Sequence, residues 1–306
     1  QYVYLREAYN PLVAFLYGWA FFAVVQTGTI AAVGVAFSKF MAYLVPAVSE
    51  DNILADLGFV KISFAQIVSI FIVVLLTWIN TRGVKEGKII QTTFTVTKIM
   101  SLFALIIFGF MMMRPETWSS NWTNAWDMHR LLPDGSVESY LTAAAFGAIA
   151  SAMVGSIFSS DAWNNVTFIA GEIKNPQRNI GLSLFLGTLI VTLIYVTANF
   201  MYTAVLPLNE IAFAEKDRVG VTASNAIFGA AGTTIIALMI MVSTFGCNNG
   251  LILSGARVYY TMAKDGLFFK HVGELNNFAV PQRALWVQCL LVSAWCLSGK
   301  YGDLLD

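Results

Sequence analysis

The chain has 306 residues, of which 57% are hydrophobic and only 12% are charged, and its 18 basic and 18 acidic side chains cancel to a formal net charge of zero. Soluble domains carry about 25% charged residues, so this composition excludes an ordinary soluble protein and indicates an integral membrane protein. The balanced charge gives no reason to expect nucleic acid as a partner. The three cysteines lie within apolar stretches, so neither a disulfide framework nor a metal or cofactor site is predicted.

Seven apolar spans follow one another along the chain, and each is predicted to be a helix. They are too long for transmembrane strands, which need about ten residues of alternating polarity. The spans cover roughly residues 11–45, 62–81, 89–113, 140–170, 180–206, 232–262 and 284–298. They predict an all-α, polytopic membrane helix bundle that lies in the lipid bilayer as one transmembrane domain over residues 1–306.

Lysine and arginine residues are distributed unevenly between the two predicted sides of the membrane. Ten lie on one side, namely Arg257 and the nine near the N-terminus and around residues 82–88, 171–179 and 263–283, whereas six lie on the other side. The positive-inside rule therefore assigns the N-terminus and this first set of loops to the cytoplasm.

Lys98 is a lone charge near the middle of the third span. At about 1.5 Å per residue it lies about 15 Å from Lys88, close to the centre of a hydrocarbon core about 30 Å thick. A lysine at a helix centre costs about 2.5 to 3.5 kcal/mol, so such residues usually face the bundle interior and mark a substrate or ion route. The alternative is an ammonium that reaches the membrane surface, which the length of a lysine side chain does not favour at this depth.

The fourth span is too long and too polar at its end for one simple membrane-spanning helix. Six of the ten residues from Phe158 to Thr167 are polar, namely Ser159, Ser160, Asp161, Asn164, Asn165 and Thr167. Polar or non-helical backbone at membrane depth is tolerated where it lines a cavity, and transporters use such discontinuous helices to bind substrate. The alternative is a helix that leaves the bilayer early, with Asp161 in water. Before the break, Gly147, Ser151 and Gly155 recur every four residues and predict close packing against a neighbouring helix.

A second series of small residues runs along the sixth span. Ser243, Gly246, Cys247, Gly250 and Ser254 are spaced by three and four residues and share one helical face. Such a face is typical of close helix packing. Ser243 and Thr244 add hydroxyl groups, which are suitable partners for the three donors of the Lys98 ammonium.

Four segments carry a family resemblance: YVYLREAYNPLVAFLYGW from Tyr2, TVTKIMSLFALI from Thr95, FSSDAWNNVTFIAGEIKNPQRNI from Phe158, and STFGCNNGLILSGARVYYTMAKDG from Ser243. The chain resembles the L-type amino acid transporters of the amino acid, polyamine and organocation superfamily, especially the bacterial alanine/serine/cysteine exchangers. The third segment is the most specific, because its aromatic, polar and Trp-Asn run is followed by Asn-Pro-x-Arg-Asn.

The resemblance implies a LeuT-like fold with a 5+5 inverted repeat, of which this chain corresponds to family helices three to nine. Lys98, within Thr-x-x-Lys, matches a family lysine that stands where sodium-coupled relatives bind sodium, and Ser243 and Thr244 match hydroxyls beside that position. Phe158 matches an aromatic gate over the substrate. The residues that follow it, Ser159 and Ser160, match the family's unwound helix, and Asn164 matches a polar residue near the substrate.

Two departures from the family pattern affect the expectations. Asp161 and Ala162 stand where the family has two small residues, so a carboxylate is present near the expected substrate amine. The segment from Val45 to Lys61 has no cysteine, whereas animal members carry one there for a disulfide to a heavy chain. We therefore expect no disulfide-linked heavy chain.

Three functions are compatible with these patterns, and none of them is enzymatic. The resemblance implies a sodium-independent exchanger of small neutral L-amino acids that works by alternating access. A proton- or ion-coupled symporter of the same fold, with Asp161 as the titrating group, is the second hypothesis. The third is a seven-helix receptor, which would bind a ligand without transport and would leave the interrupted helix unexplained.

Overall fold

The computed structural model describes residues 1–56, 61–123, 125–127, 129–132, 136–139, 142–215 and 218–298. Its helices are α1 (Tyr2–Ala8), α2 (Pro11–Ala20), α3 (Gln26–Met41), α4 (Phe64–Thr81), α5 (Val84–Met111), α6 (Pro115–Trp122), α7 (Thr142–Ser159), α8 (Pro176–Val205), α9 (Leu208–Ala212), α10 (Val219–Phe228), α11 (Gly232–Lys264) and α12 (Gln282–Ser298). A π-helical segment, Phe21–Val25, joins α2 to α3 without a break. Short 3₁₀ turns lie at Pro46–Val48, Asn165–Glu172, Gly229–Ala231 and Lys270–Gly273.

The predicted polytopic helical bundle is confirmed. Within the described residues, five helical segments are long and apolar enough to cross a membrane: Pro11–Met41, Phe64–Thr81, Gly87–Met111, Pro176–Val205 and Val219–Lys264. The other two predicted spans contain α7, whose apolar part is Ala144–Ile157, and the 17-residue α12. Two antiparallel hairpins were not predicted, because their strands are too short to show an alternating pattern: β1 (Ile53–Asp56) with β2 (Lys61–Ser63), and β3 (His129–Leu131) with β4 (Val137–Ser139).

Side-chain caps define where two of the apolar helices begin. Asn10 precedes Pro11, and its Oδ1 accepts a hydrogen bond of 3.0 Å from the Val13 amide at the start of α2. Ser63 and Gln66 form a reciprocal capping box at the start of α4, in which the Gln66 Oε1 accepts from the Ser63 amide at 2.8 Å. These caps satisfy backbone donors that would otherwise have no partner at the helix ends.

The chain divides into two compact units, and the first contains residues 1–98, 165–180 and those from 237 onward. Its core forms where α3, α4 and α12 pack against one another. The side chains there are fully buried and mostly branched, including Ile30, Val73, Leu76, Leu285 and Val292. Two buried glutamines connect this core to α11, since Gln26 donates to the Leu251 carbonyl at 2.8 Å and Gln288 donates to the Ile252 carbonyl at 3.2 Å.

The second unit comprises residues 99–164 and 181–236. The second half of α5 packs against α8 through a small core of Ile106, Ile194 and Ala198. A Cβ atom on Gly109 would lie 2.3 Å from the Cγ of Met201, so the two helices approach closely there. Glycine is needed at this position because a side chain would push α5 and α8 apart.

Asn121, at the end of α6, caps the C-terminal end of α8. Its side chain is buried, its Nδ2 donates to the carbonyls of Thr203 and Leu206 at 2.8 Å each, and its Oδ1 accepts from the Leu208 amide at 3.1 Å. Asn121 also begins an Asn-Trp-Thr triplet of the kind that can carry a glycan. In this fold, both hydrogens of its amide nitrogen are used in hydrogen bonds within the protein.

Candidate functional site

The predicted interruption of the fourth span is confirmed. Helix α7 ends at Ser159, a turn follows, and a 3₁₀ segment begins at Asn165. Ala162 has a left-handed conformation with φ of +63°, and Ile169 departs from helical geometry with φ of −105° and ψ of 16°. Left-handed backbone is unusual for a residue with a side chain and cannot be part of an α-helix, so the direction of the chain changes here.

The predicted binding residues of the second unit are placed around this break. The hydroxyls of Ser159 and Ser160 both donate to the Ser156 carbonyl at 2.9 Å, so they cap the end of α7. The Asp161 side chain is exposed, and Asn164 is half-buried. Phe158 belongs to the last turn of α7, and its side chain lies outside the described part of the structure.

Tyr195 in the middle of α8 was not identified from the sequence. Its hydroxyl donates to the Ser159 carbonyl at 2.8 Å, at the point where α7 ends. The last carbonyls of a helix lack partners within the helix, so this bond stabilises the broken end. The sequence shows only a tyrosine within an apolar span that also contains Tyr202 and several hydroxyl residues, and this signal does not reveal its partner.

The small-residue face of α7 does not have the neighbour that was predicted for it. A Cβ atom added to Gly147 or to Gly155 would meet no described atom within 4 Å. The prediction of close packing is therefore wrong for the described residues. Small residues permit close approach between helices, but they do not supply the partner helix.

Lys98 is half-buried in α5, and Ser243 and Thr244 are half-buried in α11. The Thr244 hydroxyl donates to the Ile240 carbonyl at 2.8 Å within its own helix. Among the described residues, the Lys98 ammonium makes no hydrogen bond or ion pair. The predicted link between Lys98 and the α11 hydroxyls is therefore not formed in this conformation, and its role stays a prediction.

The packing of α5 against α11 follows an antiparallel register. The Asn249 Nδ2 donates to the Gly87 carbonyl at 3.0 Å, and a Cβ on Gly250 would lie 3.1 Å from the Gln91 Oε1. One turn further along α5, the Phe94 side chain lies 2.7 Å from the position of a Cβ on Gly246. The predicted close-packing face of the sixth span is thus confirmed.

Lys98 lies one turn beyond Phe94, on the same face of α5 as Gly87 and Gln91. Each turn forward along α5 corresponds to one turn backward along α11. Extending that register by one turn brings Lys98 to the level of Val242 and Ser243. Lys98 and Ser243 therefore lie at a similar level of this register, and their pairing stays a prediction.

A buried network of amides joins α4, α5 and α11 next to this position. The Asn80 Nδ2 donates to the Asn249 Oδ1 at 3.0 Å, and the Asn249 Nδ2 donates to the Gly87 carbonyl and to the Gln91 Oε1 at 3.3 Å. Asn80 and Asn249 are fully buried. Gln91 extends the network toward Thr95, whose Oγ1 accepts from its Nε2 at 3.5 Å. Buried amides joined in this way hold helices in one register.

The comparisons with known proteins agree with this architecture. The family described as "Amino acid permease" matches residues 1–304. The serine/threonine exchanger SteT of Bacillus subtilis is 31% identical over 263 residues, which is 86% of this chain and 52% of SteT. The human b(0,+)-type amino acid transporter 1 is 24% identical over 309 residues, covering 100% of this chain and 58% of that protein. The mouse Asc-type amino acid transporter 1 is 23% identical over 307 residues, covering 100% of this chain and 54% of that protein.

This chain spans about half the length of the curated relatives that it matches. Those relatives are transporters and exchangers rather than enzymes. The apolar helices and the family match together identify a multi-pass membrane protein. The chain belongs to the amino acid permease family.

Proposed function

We propose that this protein is a sodium-independent exchanger of small neutral L-amino acids. The observation that supports it most is the break in α7 between Ser159 and Asn165, in a chain that also carries the lone Lys98. A free amino acid has an ammonium and a carboxylate, and an interrupted helix offers backbone groups and helix ends to both charges.

Each predicted site residue has a role in this proposal. The backbone of Ser159 and Ser160 and the side chains of Asp161 and Asn164 form the part of the substrate site that surrounds the break. Phe158 closes over the substrate. In an exchanger, the empty carrier seldom switches its binding site from one side of the membrane to the other. The site therefore returns only with a bound amino acid.

Lys98 replaces a coupling cation in this mechanism. An ammonium at the level of Ser243 supplies a fixed positive charge between α5 and α11, where a sodium-coupled carrier would hold a dissociable ion. The α5–α11 register supports this assignment, because it brings Lys98 opposite the face that carries Ser243.

Uptake into proteoliposomes tests both parts of the proposal. With the full-length protein, labelled alanine or serine should enter vesicles that are preloaded with either amino acid, and replacement of sodium by choline should not change the rate. Uptake into empty vesicles at the same rate would refute exchange. Uptake that stops without sodium would refute the role of Lys98 as a replacement for the ion.

Proton-coupled symport is the second candidate, because the exposed Asp161 lies at the break itself. If Asp161 carries the proton, an inward pH gradient should drive uptake into empty vesicles, and Asp161→Asn should abolish that uptake. Asp127→Asn, which neutralises another exposed carboxylate, is the matched control. Under the exchange proposal, neither the pH gradient nor Asp161→Asn creates or removes net uptake.

We further propose that no heavy chain is attached by a disulfide. The segment from Val45 to Lys61 contains no cysteine, and Cys247, Cys289 and Cys296 all lie within helices. Migration on a denaturing gel should therefore be the same with and without a reducing agent.

Removal of the Tyr195 hydroxyl should impair transport while the fold is retained. Tyr195→Phe leaves the Ser159 carbonyl without its 2.8 Å hydrogen bond, so the broken end of α7 should be held less firmly. We expect a reduction of about fivefold in maximal exchange, which corresponds to about 1 kcal/mol for one neutral hydrogen bond. Initial rates of labelled serine exchange measure this effect.

Tyr202→Phe is the matched control, since it removes a hydroxyl from the same helix that makes no hydrogen bond among the described residues. It should exchange at the wild-type rate. Equal rates for Tyr195→Phe and Tyr202→Phe would contradict a function for the Tyr195 contact.

A further inference from the structure

A polar pocket of about 410 Å³ lies in the first unit, where α4 ends and α12 begins. Its walls combine the indoles of Trp78 and Trp286 with the guanidinium of Arg82 and the amides of Asn277 and Gln282. None of the described residues that line it is acidic. The pocket therefore presents one positive charge and several hydrogen-bond donors without a counter-ion.

The pocket lies at the end of a helix that can cross a membrane. Trp78 is in the last turn of α4, an 18-residue apolar helix that can cross a bilayer, and Arg82 follows directly after its end. Tryptophan is enriched at the level of lipid headgroups. Arg82 also belongs to the loop that the positive-inside rule assigns to the cytoplasm, and the cytoplasmic leaflet carries the anionic lipids.

Arg82 is held in an orientation that leaves its hydrogen-bonding edge free. The guanidinium carbon lies 4.7 Å from the centroid of the Trp78 ring, which is a cation–π contact. Stacking uses the face of the guanidinium, whereas its five N–H donors point outward in its plane. Within the described chain, no carboxylate and no carbonyl accepts from them. Such a planar fork matches the geometry of a phosphate group.

Asn276 gives the pocket its shape, and its hydrogen bonds leave the donors of Arg82, Asn277 and Gln282 unused. Its Nδ2 donates to the Thr81 carbonyl at 2.8 Å and to the Gln282 Oε1 at 3.3 Å, and its Oδ1 accepts from the amides of Phe278 and Val280. The loop is thereby fixed to the end of α4. Because the Gln282 oxygen is an acceptor in this arrangement, its NH₂ group remains for another partner, as does the Asn277 amide.

A second arginine nearby has a different environment. Arg283 lies next to Gln282, but its Nη1 is paired with the Glu274 Oε2 at 2.8 Å. Its charge is already compensated within the protein. Arg283 is therefore a surface charge that is paired within the protein, whereas the donors of Arg82 remain available to an external anion.

We propose that this pocket binds the phosphodiester headgroup of an anionic phospholipid from the cytoplasmic leaflet. Arg82 contacts the phosphate, the amides of Asn277 and Gln282 donate to its oxygens, and the indoles of Trp78 and Trp286 lie at the border with the acyl chains. The lipid would keep the ends of α4 and α12 together at the membrane surface.

Native mass spectrometry of the purified full-length protein tests this proposal. The protein is exchanged into detergent with equal amounts of phosphatidylglycerol and phosphatidylcholine, and the bound lipids are counted. The wild type should retain one phosphatidylglycerol in preference to phosphatidylcholine. Arg82→Gln should weaken that retention by about tenfold, as expected for the loss of one charge-assisted contact. Arg283→Gln, which removes a nearby arginine that is already paired with Glu274, should retain the lipid like the wild type.

Two further measurements complete the test. Arg82→Lys preserves the charge but not the planar fork, so its lipid retention should weaken by at least about half as much as that of Arg82→Gln. This variant also tests the proposal if Arg82→Gln does not fold. The proposal would be overturned if the wild type, Arg82→Lys and Arg82→Gln all retained the lipid equally. An equal loss in Arg283→Gln would also overturn it, because diffuse surface charge would then explain the binding. Displacement of the lipid by millimolar inorganic phosphate would overturn the assignment to a lipid and indicate a free anion.

Discussion

Exchange by Lys98→Ala is expected to be at least about tenfold slower than exchange by the wild type, which corresponds to about 1.4 kcal/mol or more. Lys98 follows Gln91 and Phe94 on the face of α5 that packs against α11, and the helix register extends to the level of Ser243, so its loss removes a charge from this helix face. Expression and thermal stability should change little, because the ammonium makes no hydrogen bond among the described residues in this conformation. Initial rates of labelled amino acid exchange in proteoliposomes measure the effect.

Two further variants make the Lys98 experiment specific. Lys98→Arg keeps the charge in a larger, planar group and should recover part of the rate. Lys88→Ala removes an exposed lysine from the start of the same helix and should exchange like the wild type. Wild-type rates in Lys98→Ala would contradict the assignment of this lysine to the transport mechanism.

Asn249→Ala is expected to lower the free energy of unfolding by about 2 kcal/mol. Asn249 makes hydrogen bonds to Asn80, Gly87 and Gln91, and all of them are lost in the variant. Side-chain hydrogen bonds between helices in membranes average only about 0.6 kcal/mol, because the unfolded state in the membrane also finds partners. Three such bonds together give the expected size. The midpoint of thermal unfolding in detergent should fall by several degrees.

Asn199→Ala is the control for the amide network, since Asn199 is exposed and, among the described residues, its Nδ2 donates only to the Tyr195 carbonyl of its own helix. Its unfolding midpoint should be close to that of the wild type. Replacing both Asn80 and Asn249 by leucine should cost less than the sum of the single replacements, because neither residue then leaves the amide of the other without its partner. Equal midpoints for Asn249→Ala and Asn199→Ala would contradict a structural role for the network.

The features that could be predicted from the sequence are those whose signal lies within a single segment of the chain. A lysine in the middle of an apolar span and six polar residues in ten after Phe158 conflict with the lipid environment wherever the rest of the chain lies. Their physical cost is local, so the interrupted helix could be predicted, and α7 does end at Ser159. The spacing of Ser243, Gly246 and Gly250 likewise predicted a close-packing face, which Phe94 and Gln91 occupy.

Residues whose effect depends on a distant partner could not be recognised in this way. Tyr195 and Asn121 each act on the end of another helix, and Asn80 acquires its role through Asn249, far away in the chain. Gly147 and Gly155 show that a local pattern can also mislead. Their spacing is like that of the packed face of α11, but no described residue packs against them in α7.

Composition and local patterns therefore established that this is a helical membrane protein with a lone intramembrane lysine and an interrupted helix. The packed arrangement of the helices added the α5–α11 register, the buried amide network and the orientation of Arg82 toward an open pocket. The physical reason is the range of the interactions. Transfer of a residue into lipid depends on that residue and its neighbours in the chain, whereas hydrogen bonds and close contacts depend on atoms that only folding brings together.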